Sequence, residues 1–369
     1  MTNNVTGPVG VGIIGAGVIS STYLENLTSF PDVAVVMVAD LDLERAAAQA
    51  AAYNVPNSGS VADLLARPDV EVVVNLTIPA AHVQVGLAIL EAGKHVWTEK
   101  PIALDRPSAR KLLDLARDKG LRVASAPDTV LGAAFQTARR TIEAGRIGEP
   151  RTGLALFQSP GPESWHPAPE FLFQEGGGPL LDIGPYYLSG LVSLLGPVHR
   201  VTATGSKARD TRVIGSGPRA GTEFEVTVPT TVAALLEFER GGSAQIVLTF
   251  DSALRRTTLE VAGTLGSAVV PDPNMFDGST LLHLLGGTEV EEVPHSGHAA
   301  SRGTGVLELV RSIRAGVPER ASGGFAYHVL DVMLSIEDAY TAGQPVIVES
   351  TTDVPPPLPA DWDPYARTL

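Results

Sequence analysis

The sequence predicts an α/β protein with a doubly wound parallel sheet at its N-terminal end, followed by an α+β domain with a large, mostly antiparallel open sheet. Three observations support this fold class. Short runs rich in Val and Ile alternate with stretches rich in Ala and Leu over about the first third of the chain. A glycine-rich turn follows the first of these runs. Beyond Pro150 the alternation ends and strand-like runs follow one another directly.

The chain is long enough for more than one domain. Its 369 residues correspond to about two domains of ordinary size. With 44% hydrophobic and 18% charged residues, it has the composition of a packed globular protein. We expect a doubly wound domain over 1–128, an α+β domain over 129–350 and a Pro-rich arm over 351–369.

The first domain is predicted element by element from the alternation. The predicted strands are 9–14, 33–39, 70–76, 94–98 and 121–125. The predicted helices between them are 19–29, 43–53, 80–92 and 106–119. Strands that alternate with helices form βαβ units, and nearly continuous Val and Ile in the first three strands indicates burial on both faces.

The second domain is predicted from a change of pattern. A helix over 133–144 ends at Gly145, and the strands 198–204, 230–239, 244–252 and 256–262 follow without regular helices between them. Two late helices are predicted at 303–315 and 326–341. They either pack on this sheet or bridge back to the first domain.

Charge and composition exclude several classes of function. A net charge of −14 repels phosphate backbones and anionic lipids, so we predict neither a nucleic-acid nor a membrane partner. Without Cys, disulfides, thiolate zinc sites and cysteine nucleophiles are excluded. His295 and His298 are spaced like metal ligands, but their Ser-Gly loop offers no third ligand, and no metal is predicted. The first basic residue is Arg45, and we expect a cytoplasmic protein.

The turn after the first strand has the pattern of a dinucleotide site. In VGIIGAGVIS two glycines occupy the turn before a helix, and Ser20 takes the third, small position of the fingerprint. Such a turn lets N–H groups at a helix N-terminus face a pyrophosphate. A glycine turn without a ligand is the alternative. The residues predicted to contact the dinucleotide here are Gly15, Gly17, Val18 and Ile19.

The second predicted strand ends at Asp40. A carboxylate at this strand end can accept hydrogen bonds from the adenosine ribose hydroxyls and repels a 2′-phosphate. We therefore predict NAD as the cofactor, with NADP disfavoured.

The fourth predicted strand leads into Trp97-Thr98-Glu99-Lys100-Pro101. Ligands of open α/β sheets bind beyond the carboxyl ends of the strands, where Lys100 lies. An ammonium group there can donate a hydrogen bond to a substrate oxygen and serve in acid–base chemistry. The alternative is a surface ion pair with Glu99.

These motifs together resemble the family of glucose-fructose oxidoreductase, inositol dehydrogenase and MocA. The resemblance is carried by GIIGAG, by Ile78-Pro79 with His82, and by Glu99-Lys100-Pro101. In the second domain GGGPLLDIGPY, residues 176–186, is similar to the family signature GGG-x-x-x-D-x-G-x-H. The resemblance implies an NAD(P)-dependent oxidoreductase that transfers hydride to or from a hydroxyl or ketone of a sugar, inositol or related cyclic polyol. It also implies a homodimer or homotetramer that associates through the open face of the second sheet.

The resemblance assigns roles to individual residues. It implies Lys100, Asp182 and Tyr186 as catalytic residues, with Tyr186 or Lys100 taking the hydroxyl proton and Asp182 holding the substrate or orienting Lys100. It implies further cofactor contacts at Thr77, Ile78, His82, Glu99 and Lys100.

Tyr186 stands where many inositol dehydrogenase-like members have His, and some other members have Tyr. Helical spacing separates it from its neighbour. The apolar residues Leu188, Leu191, Val192 and Leu195 form one stripe. Tyr187 lies at the flank of that stripe and is predicted to pack, whereas Tyr186 points away from it.

Candidate substrate contacts are less specific. Trp165 and His166 lie in a loop before the glycine run, where they contact a sugar ring or simply pack. Asp128 follows the last strand of the first domain and either binds substrate hydroxyls or caps the following helix. Two other functions remain open: a glycosidase that retains NAD and uses transient oxidation, and a non-catalytic dinucleotide or sugar sensor.

Overall fold

The computed structural model describes residues 7–369, and the chain divides into two compact units. Unit 1 contains the residues up to Ala133, with Gly297–Tyr327 and Leu358–Leu369, and unit 2 contains Ala134–Ser296 and His328–Pro357. The expected contiguous ranges 1–128, 129–350 and 351–369 differ from this division. Two late segments cluster with unit 1, because buried acids of that unit bind them, as described below.

The described chain forms the following elements. The strands are β1 (Val9–Ile14), β2 (Val33–Ala39), β3 (Asn57–Gly59), β4 (Val72–Asn75), β5 (His95–Thr98), β6 (Val123–Ser125), β7 (Pro150–Gln158), β8 (Val198–Ser206), β9 (Thr211–Val213), β10 (Glu223–Glu225), β11 (Thr231–Phe238), β12 (Ser243–Thr249), β13 (Arg256–Gly263), β14 (Gly266–Val270), β15 (Thr280–Leu284), β16 (Glu291–Val293) and β17 (Val346–Ile347). The helices are α1 (Val18–Leu27), α2 (Leu43–Ala52), α3 (Val61–Leu65), α4 (His82–Glu91), α5 (Arg106–Lys119), α6 (Ala133–Glu143), α7 (Gly178–Asp182), α8 (Gly184–Leu195), α9 (Thr304–Ala315) and α10 (Gly323–Ala342).

Within residues 7–369, unit 1 contains a parallel sheet of six strands in the order β3-β2-β1-β4-β5-β6. This order confirms the predicted doubly wound sheet. The direction of strand succession reverses between β1 and β4, so their carboxyl ends form the switch point at which such sheets bind ligands. The edge strand β3 and the short helix α3 were not predicted, because Asn57–Gly59 is polar and short.

Unit 2, which lies wholly in the described chain, contains a sheet of nine strands in the order β16-β15-β14-β13-β7-β12-β11-β8-β17. Its pairs are antiparallel except β7 with β12, which confirms a mostly antiparallel sheet. The central strand β7 was missed, because Gly153 interrupts its apolar pattern. A Cβ at Gly153 would lie 2.9 Å from Leu191 Cδ2, so the close packing of α8 requires glycine there.

The two faces of the large sheet differ. On one face α8 packs against β7, with the rings of Phe157 and Tyr187 6.3 Å apart. On the other face Leu154, Leu156 and Val247 stay partly exposed, and Leu235 is 40% exposed. The register places Leu235 and Leu154 on either side of Gln245. This face therefore carries an apolar patch at its centre.

The end of the predicted arm docks onto unit 1 through a buried carboxylate. Asp32 is fully buried and accepts hydrogen bonds from Arg311 Nε at 2.9 Å, Thr368 Oγ1 at 2.7 Å and Leu369 N at 3.1 Å. The Arg311 guanidinium also donates to the main-chain oxygens of Asp363 and Ala366. Burial alone would raise the pKa of Asp32, but the bonds from Thr368, Arg311 and Leu369 outweigh it and lower the pKa. The last residues are thus an ordered part of unit 1.

Candidate active site

The glycine turn at the switch point is shaped by its neighbours. Gly15 has φ +104°, and a Cβ there would lie 2.6 Å from Leu76 O, so only glycine fits. Gly17 is the N-cap of α1 and has no side-chain cap, and a Cβ on it would meet no atom within 4 Å. Ser20 is buried, and its hydroxyl donates to Gly17 O at 2.6 Å. The N-terminus of α1 therefore has no side-chain cap and has open space beside Gly17, as a bound pyrophosphate requires.

Asp40, directly after β2, is tied to this turn. Its Oδ2 accepts from Ala16 N at 2.7 Å, and its Oδ1 accepts from Asp42 N at 2.9 Å and Arg45 Nη2 at 2.7 Å. Burial alone would raise the pKa of Asp40, but these bonds outweigh it and lower the pKa. Asp40 is therefore ionised at neutral pH, and it holds both the turn and the Arg45 guanidinium.

Large apolar side chains lie exposed after three neighbouring strands of unit 1. Val18 and Leu41 are each 95% exposed and Ile78 is 70% exposed, and Leu43 is also exposed. They follow β1, β2 and β4, whose carboxyl ends meet at one edge of the sheet. Exposed apolar groups gathered at such an edge suit flat, partly apolar rings. Leu41 and Leu43 were not predicted, although their place just after Asp40 was an available signal.

His82 joins two of the loops at this edge. It is buried, with Nε2 2.9 Å from Thr77 O and Nδ1 2.7 Å from Pro101 O. Asn75 Nδ2 donates to His82 O at 3.0 Å, and Asn75 Oδ1 accepts from Thr77 Oγ1 at 2.7 Å. Burial lowers the pKa of His82, although the carbonyls of Pro101 and Thr77 oppose that effect. The imidazole thus fixes the loops after β4 and β5, with both ring nitrogens turned to main-chain oxygens.

Lys100 lies half-buried just beyond β5, and its neighbour Glu99 connects it to α1. Glu99 Oε2 accepts from Lys100 N at 3.1 Å, and Oε1 accepts from Tyr23 OH at 2.8 Å. Tyr23 OH in turn accepts from Trp97 Nε1 at 3.1 Å. Tyr23, which the sequence did not suggest as a functional residue, therefore joins the helix of the glycine turn to the strand end that carries Lys100.

Asp128 lies in the interior of unit 1 and is fully buried. Its Oδ2 accepts from Gly303 N at 2.8 Å and Gly305 N at 3.1 Å, so it caps α9. Burial raises the pKa of Asp128 to about 6, against the opposing effects of Arg302 and the two N–H groups. A side chain with no exposed surface is placed to bind α9 rather than substrate hydroxyls. The alternative of a helix cap thus describes Asp128, although the capped helix is remote in sequence and does not follow it.

The glycine run of unit 2 leads into two consecutive helices. Gly176 and Gly178 have φ +83° and +78°, and a Cβ on Gly178 would lie 3.1 Å from Pro229 O. Asp182 is half-buried at the end of α7, and Tyr186 is largely buried in the first turn of α8. Tyr187 is fully buried against Phe157, as the helical stripe predicted. Lys100 belongs to unit 1, whereas Asp182 and Tyr186 belong to unit 2.

Trp165 and His166 form an aromatic cluster in a loop of unit 2. Trp165 is 64% exposed, and its ring centroid lies 5.5 Å from that of His166. His166 lies 5.5 Å from Phe171, which is also exposed and was not predicted. This aromatic loop therefore presents three rings on one surface of unit 2.

A buried arginine anchors the aromatic loop. Arg212, 2% exposed, forms ion pairs with Glu163 and Asp251 and donates to Pro160 O at 2.9 Å. Its guanidinium carbon lies 4.9 Å from the centroid of the Phe173 ring. Nothing in the sequence pattern distinguished Arg212, because its partners are far apart in the chain.

Neither a metal site nor a membrane span is found in the part of the chain that the structure describes. Over residues 7–369, no three His, Asp or Glu side chains are grouped so that they could hold a metal ion. In the same range no helix combines the length and apolar character needed to cross a bilayer.

Comparisons with known proteins agree with this geometry. The chain matches the family model "Oxidoreductase family, NAD-binding Rossmann fold" over residues 9–126 and "GFO/IDH/MocA C-terminal domain" over 135–269. It is 31% identical to trans-1,2-dihydrobenzene-1,2-diol dehydrogenase of Bos taurus over 265 residues, which cover 71% of this chain and 74% of that protein. It is 33% identical to a dTDP-3,4-didehydro-2,6-dideoxy-alpha-D-glucose 3-reductase of Streptomyces antibioticus over 233 residues, 62% of this chain and 68% of that protein.

Solved structures share the fold at lower identity. A levoglucosan dehydrogenase in complex with NADH and L-sorbose superposes with a TM-score of 0.81 at 21% identity, covering 94% of this chain and 100% of the other. An NAD-binding oxidoreductase from Klebsiella pneumoniae gives a TM-score of 0.81 at 22% identity, covering 93% and 99%. At this identity the likeness establishes the fold of the chain.

Proposed function

The chain belongs to the GFO/IDH/MocA family of oxidoreductases and carries its NAD-binding Rossmann domain, and from this premise we propose that it transfers hydride between NAD and a cyclic polyol. The substrate class covers sugars, inositols and related ring diols, and the reacting group is a hydroxyl or its ketone. One observation in unit 1 carries the proposal. The glycine turn, the ionised Asp40 and Lys100 follow β1, β2 and β5, whose carboxyl ends lie along one edge of a single parallel sheet.

The residues at this edge fit a dinucleotide. Gly15, Gly17 and the first turn of α1, with Val18 and Ile19, would hold the pyrophosphate, since this helix N-terminus has no side-chain cap and has open space beside Gly17. Asp40 would accept hydrogen bonds from the adenosine ribose. Leu41 and Leu43 would pack against the adenine ring.

The loops nearer Lys100 would hold the other half of the dinucleotide. Thr77, Ile78 and Glu99 would contact it, with His82 acting through the loops that it fixes. When bound, the nicotinamide ring supplies the hydride acceptor or donor. We propose NAD rather than NADP, because the ionised Asp40 opposes a 2′-phosphate.

Lys100 supports acid–base chemistry at this edge. Its backbone is held by Glu99, and its ammonium group can donate a hydrogen bond to the substrate oxygen. We propose that Lys100 or Tyr186 accepts the hydroxyl proton during oxidation and returns it during reduction, with Asp182 holding the substrate or orienting Lys100. The roles of Asp182 and Tyr186 rest on the motif in residues 176–186.

The aromatic loop supports a ring-shaped substrate. Trp165 and His166 are proposed substrate contacts, since exposed aromatic faces pack against the C–H faces of sugar and diol rings. Phe171 extends the same surface. The buried Arg212 keeps the loop in place, so the rings are held ready for a ligand.

We also propose that the protein forms a homodimer or homotetramer through the open face of the large sheet. Leu154, Leu156, Leu235 and Val247 support this proposal, because these partly exposed apolar side chains lie on the same face of three neighbouring strands. Light scattering after gel filtration tests it. The substitution Leu235→Glu should lower the mass to that of a monomer, whereas Leu254→Glu, at another exposed leucine, should not. An unchanged mass for Leu235→Glu would contradict the proposed interface.

The proposed reaction is tested by a cofactor and substrate panel. Purified protein is mixed with NAD+ or NADP+ and with sugars, inositols, trans-cyclohexane-1,2-diol or aryl glycosides, while absorbance at the NADH band and released products are measured. Net NADH formation with one ring polyol supports the proposal. Glycoside cleavage without NADH release would indicate the NAD-retaining glycosidase instead. Dinucleotide binding without any turnover would indicate a sensor.

A further inference from the structure

A buried tyrosine of unit 1, Tyr23, lies outside the glycine turn. Tyr23 is on the inner face of α1, is fully buried, and lies one and a half turns beyond the first helical residues. We propose that Tyr23 is a positioning residue for the reaction: its hydroxyl holds the Glu99 carboxylate against the main chain of Lys100 and so sets the position of Lys100 relative to the helix of the glycine turn. This inference rests on the proposed function.

The hydrogen bonds of Tyr23 run in one direction. Trp97 Nε1 can only donate, and it donates to Tyr23 OH at 3.1 Å. The hydroxyl proton is then free to be given to Glu99 Oε1, at 2.8 Å. The second carboxylate oxygen of Glu99 accepts from Lys100 N at 3.1 Å. Each oxygen of the Glu99 carboxylate therefore accepts one hydrogen bond, Oε1 from Tyr23 on α1 and Oε2 from the main chain of Lys100.

The Trp97 indole, from which this series of hydrogen bonds starts, is tightly packed. A Cβ added to Gly305 would lie 2.0 Å from Trp97 Cη2 and 2.8 Å from Asp128 Cβ, so α9 lies directly against the indole ring. Asp128 holds α9 there by accepting from Gly303 N and Gly305 N. Trp97 is fully buried between these groups. The indole N–H is thus held in one place by packing. It fixes the Tyr23 hydroxyl, which in turn holds the Glu99 carboxylate.

Electrostatics keep the Tyr23 hydroxyl protonated, so that it remains the donor to Glu99. Burial, with the nearby charges of Glu99 and Asp128, raises the pKa of Tyr23 well above its usual value, although the bond from Trp97 opposes this. The phenol therefore stays protonated throughout the working pH range of an enzyme. A permanently protonated hydroxyl next to a carboxylate acts as a fixed donor and takes no part in proton transfer itself.

The test removes one oxygen atom and leaves the ring in place. Tyr23→Phe is compared with Tyr340→Phe, since Tyr340 is a half-buried tyrosine of unit 2 whose hydroxyl also donates to a carboxylate, Glu337 Oε1 at 3.4 Å. With the best polyol of the panel, we expect kcat of Tyr23→Phe to fall roughly 10- to 100-fold, because a small displacement of a reacting group has effects of this size. The Kd for NAD+ should change less than about 3-fold, because the glycine turn is untouched. Tyr340→Phe should behave like the wild type.

A double-substitution cycle separates positioning from packing. If Tyr23 acts through Glu99, the double variant Tyr23→Phe with Glu99→Gln should have the kcat of Glu99→Gln alone, within about 2-fold. If Tyr23 only fills space, the two losses should multiply, and the inference is overturned. A loss of NAD+ binding equal to the loss of kcat in Tyr23→Phe would overturn it as well.

The indole signal of Trp97 gives a readout that is independent of turnover. The chain has three Trp residues, so a 1H–15N NMR correlation spectrum contains few indole N–H signals. The substitution Trp97→Phe identifies the signal of residue 97. This signal should shift in Tyr23→Phe and in Glu99→Gln but not in Tyr340→Phe. Addition of NAD+ should move it in the wild type and not in Tyr23→Phe.

The two proposals can fail separately. If the wild type oxidises no polyol in the panel, the proposed function fails, while the indole signal still decides whether the chain from Trp97 to Glu99 exists and senses NAD+. If turnover is found but the Trp97 signal ignores Glu99→Gln, the inference about Tyr23 fails and the proposed function stands. If Tyr23→Phe does not fold, Glu99→Gln alone decides through the same signal.

Discussion

The two units use buried charge in different ways. In unit 1 two buried carboxylates each bind a segment that is far away in sequence: Asp32 binds the last residues of the chain, and Asp128 caps α9. In unit 2 the buried cation Arg212 gathers Glu163 and Asp251 and anchors one loop. Unit 1 is thus closed around its parallel sheet by many small contacts. Unit 2 keeps an open sheet face and an exposed aromatic loop, and the ion-pair cluster of Arg212 anchors that loop.

This difference suggests a division of labour. Groups that must hold a cofactor in one geometry benefit from a frame in which strand ends and returning segments are mutually fixed. An exposed loop and an open sheet face can vary between relatives without disturbing that frame. Four predictions test the comparison, in order of expected effect.

The largest effect is expected at the strand end of unit 1. Lys100→Met should lower kcat by about 10²- to 10⁴-fold, the range for loss of an acid–base group, with little change in dinucleotide affinity. The measurements are steady-state NADH formation and NAD+ titration by fluorescence. Lys111→Met, an exposed lysine on α5, is the matched control. Activity close to that of this control would exclude Lys100 from the chemistry.

The second effect tests the dependence of unit 2 on one cation. Arg212→Met leaves the Glu163 and Asp251 carboxylates, which are only 13% and 14% exposed, without their cationic partner, which should cost about 3–5 kcal/mol in free energy of unfolding. Arg200→Met removes the exposed ion pair with Glu237 in the same unit and should cost less than about 1 kcal/mol. Denaturant unfolding measures both variants. Equal losses would mean that unit 2 does not depend on its buried cluster.

The third prediction concerns the buried acid of unit 1. The folded-state pKa of Asp128, about 6, lies above the ordinary carboxyl value, so its favourable contribution is complete at low pH and is lost as the pH rises through about 6. Asp128→Asn cannot ionise. Its stability relative to the wild type should therefore increase between pH 4 and pH 7.5, by up to about 3 kcal/mol.

Thermal unfolding at both pH values measures this difference. Asp32 provides the opposite case. Its pKa is lowered, so the stability advantage of the wild type over Asp32→Asn should be complete above the ordinary carboxyl pKa and should be lost as the pH falls below it. The same pH trend in both variants would show that burial and hydrogen bonding do not set these two acids apart.

The smallest effect concerns cofactor choice. Asp40→Ser removes the charge that opposes a 2′-phosphate and releases the Arg45 guanidinium from its ion pair. The ratio of kcat/KM for NADP+ to that for NAD+ should rise about 10-fold or more, in line with the loss of one charge interaction of about 1.4 kcal/mol. The double variant Asp40→Ser with Arg45→Met is the control and should lose most of the gain. An unchanged ratio in Asp40→Ser would separate Asp40 from cofactor selection.

The local features of unit 1 could be predicted from the sequence. The strand Val9–Ile14, the turn at Gly15 and the helix after it are encoded in consecutive residues, because a buried strand, a glycine turn and a helix each have their own local pattern. The position of Lys100 just beyond a strand was predictable for the same reason, since a strand and a proline define it. Asp40 followed from the end of the second strand.

The features that depend on distant partners were decided by the tertiary structure alone. The central position of β7, the capping of α9 by Asp128, the docking of the last residues on Asp32 and the role of Tyr23 join residues that lie far apart in the chain. Periodicity and turn chemistry are local, so they indicate which elements form. The partner of each buried polar group is decided only when the elements pack. A polar group without a hydrogen bond is destabilising only in the folded interior, where water cannot replace the missing partner.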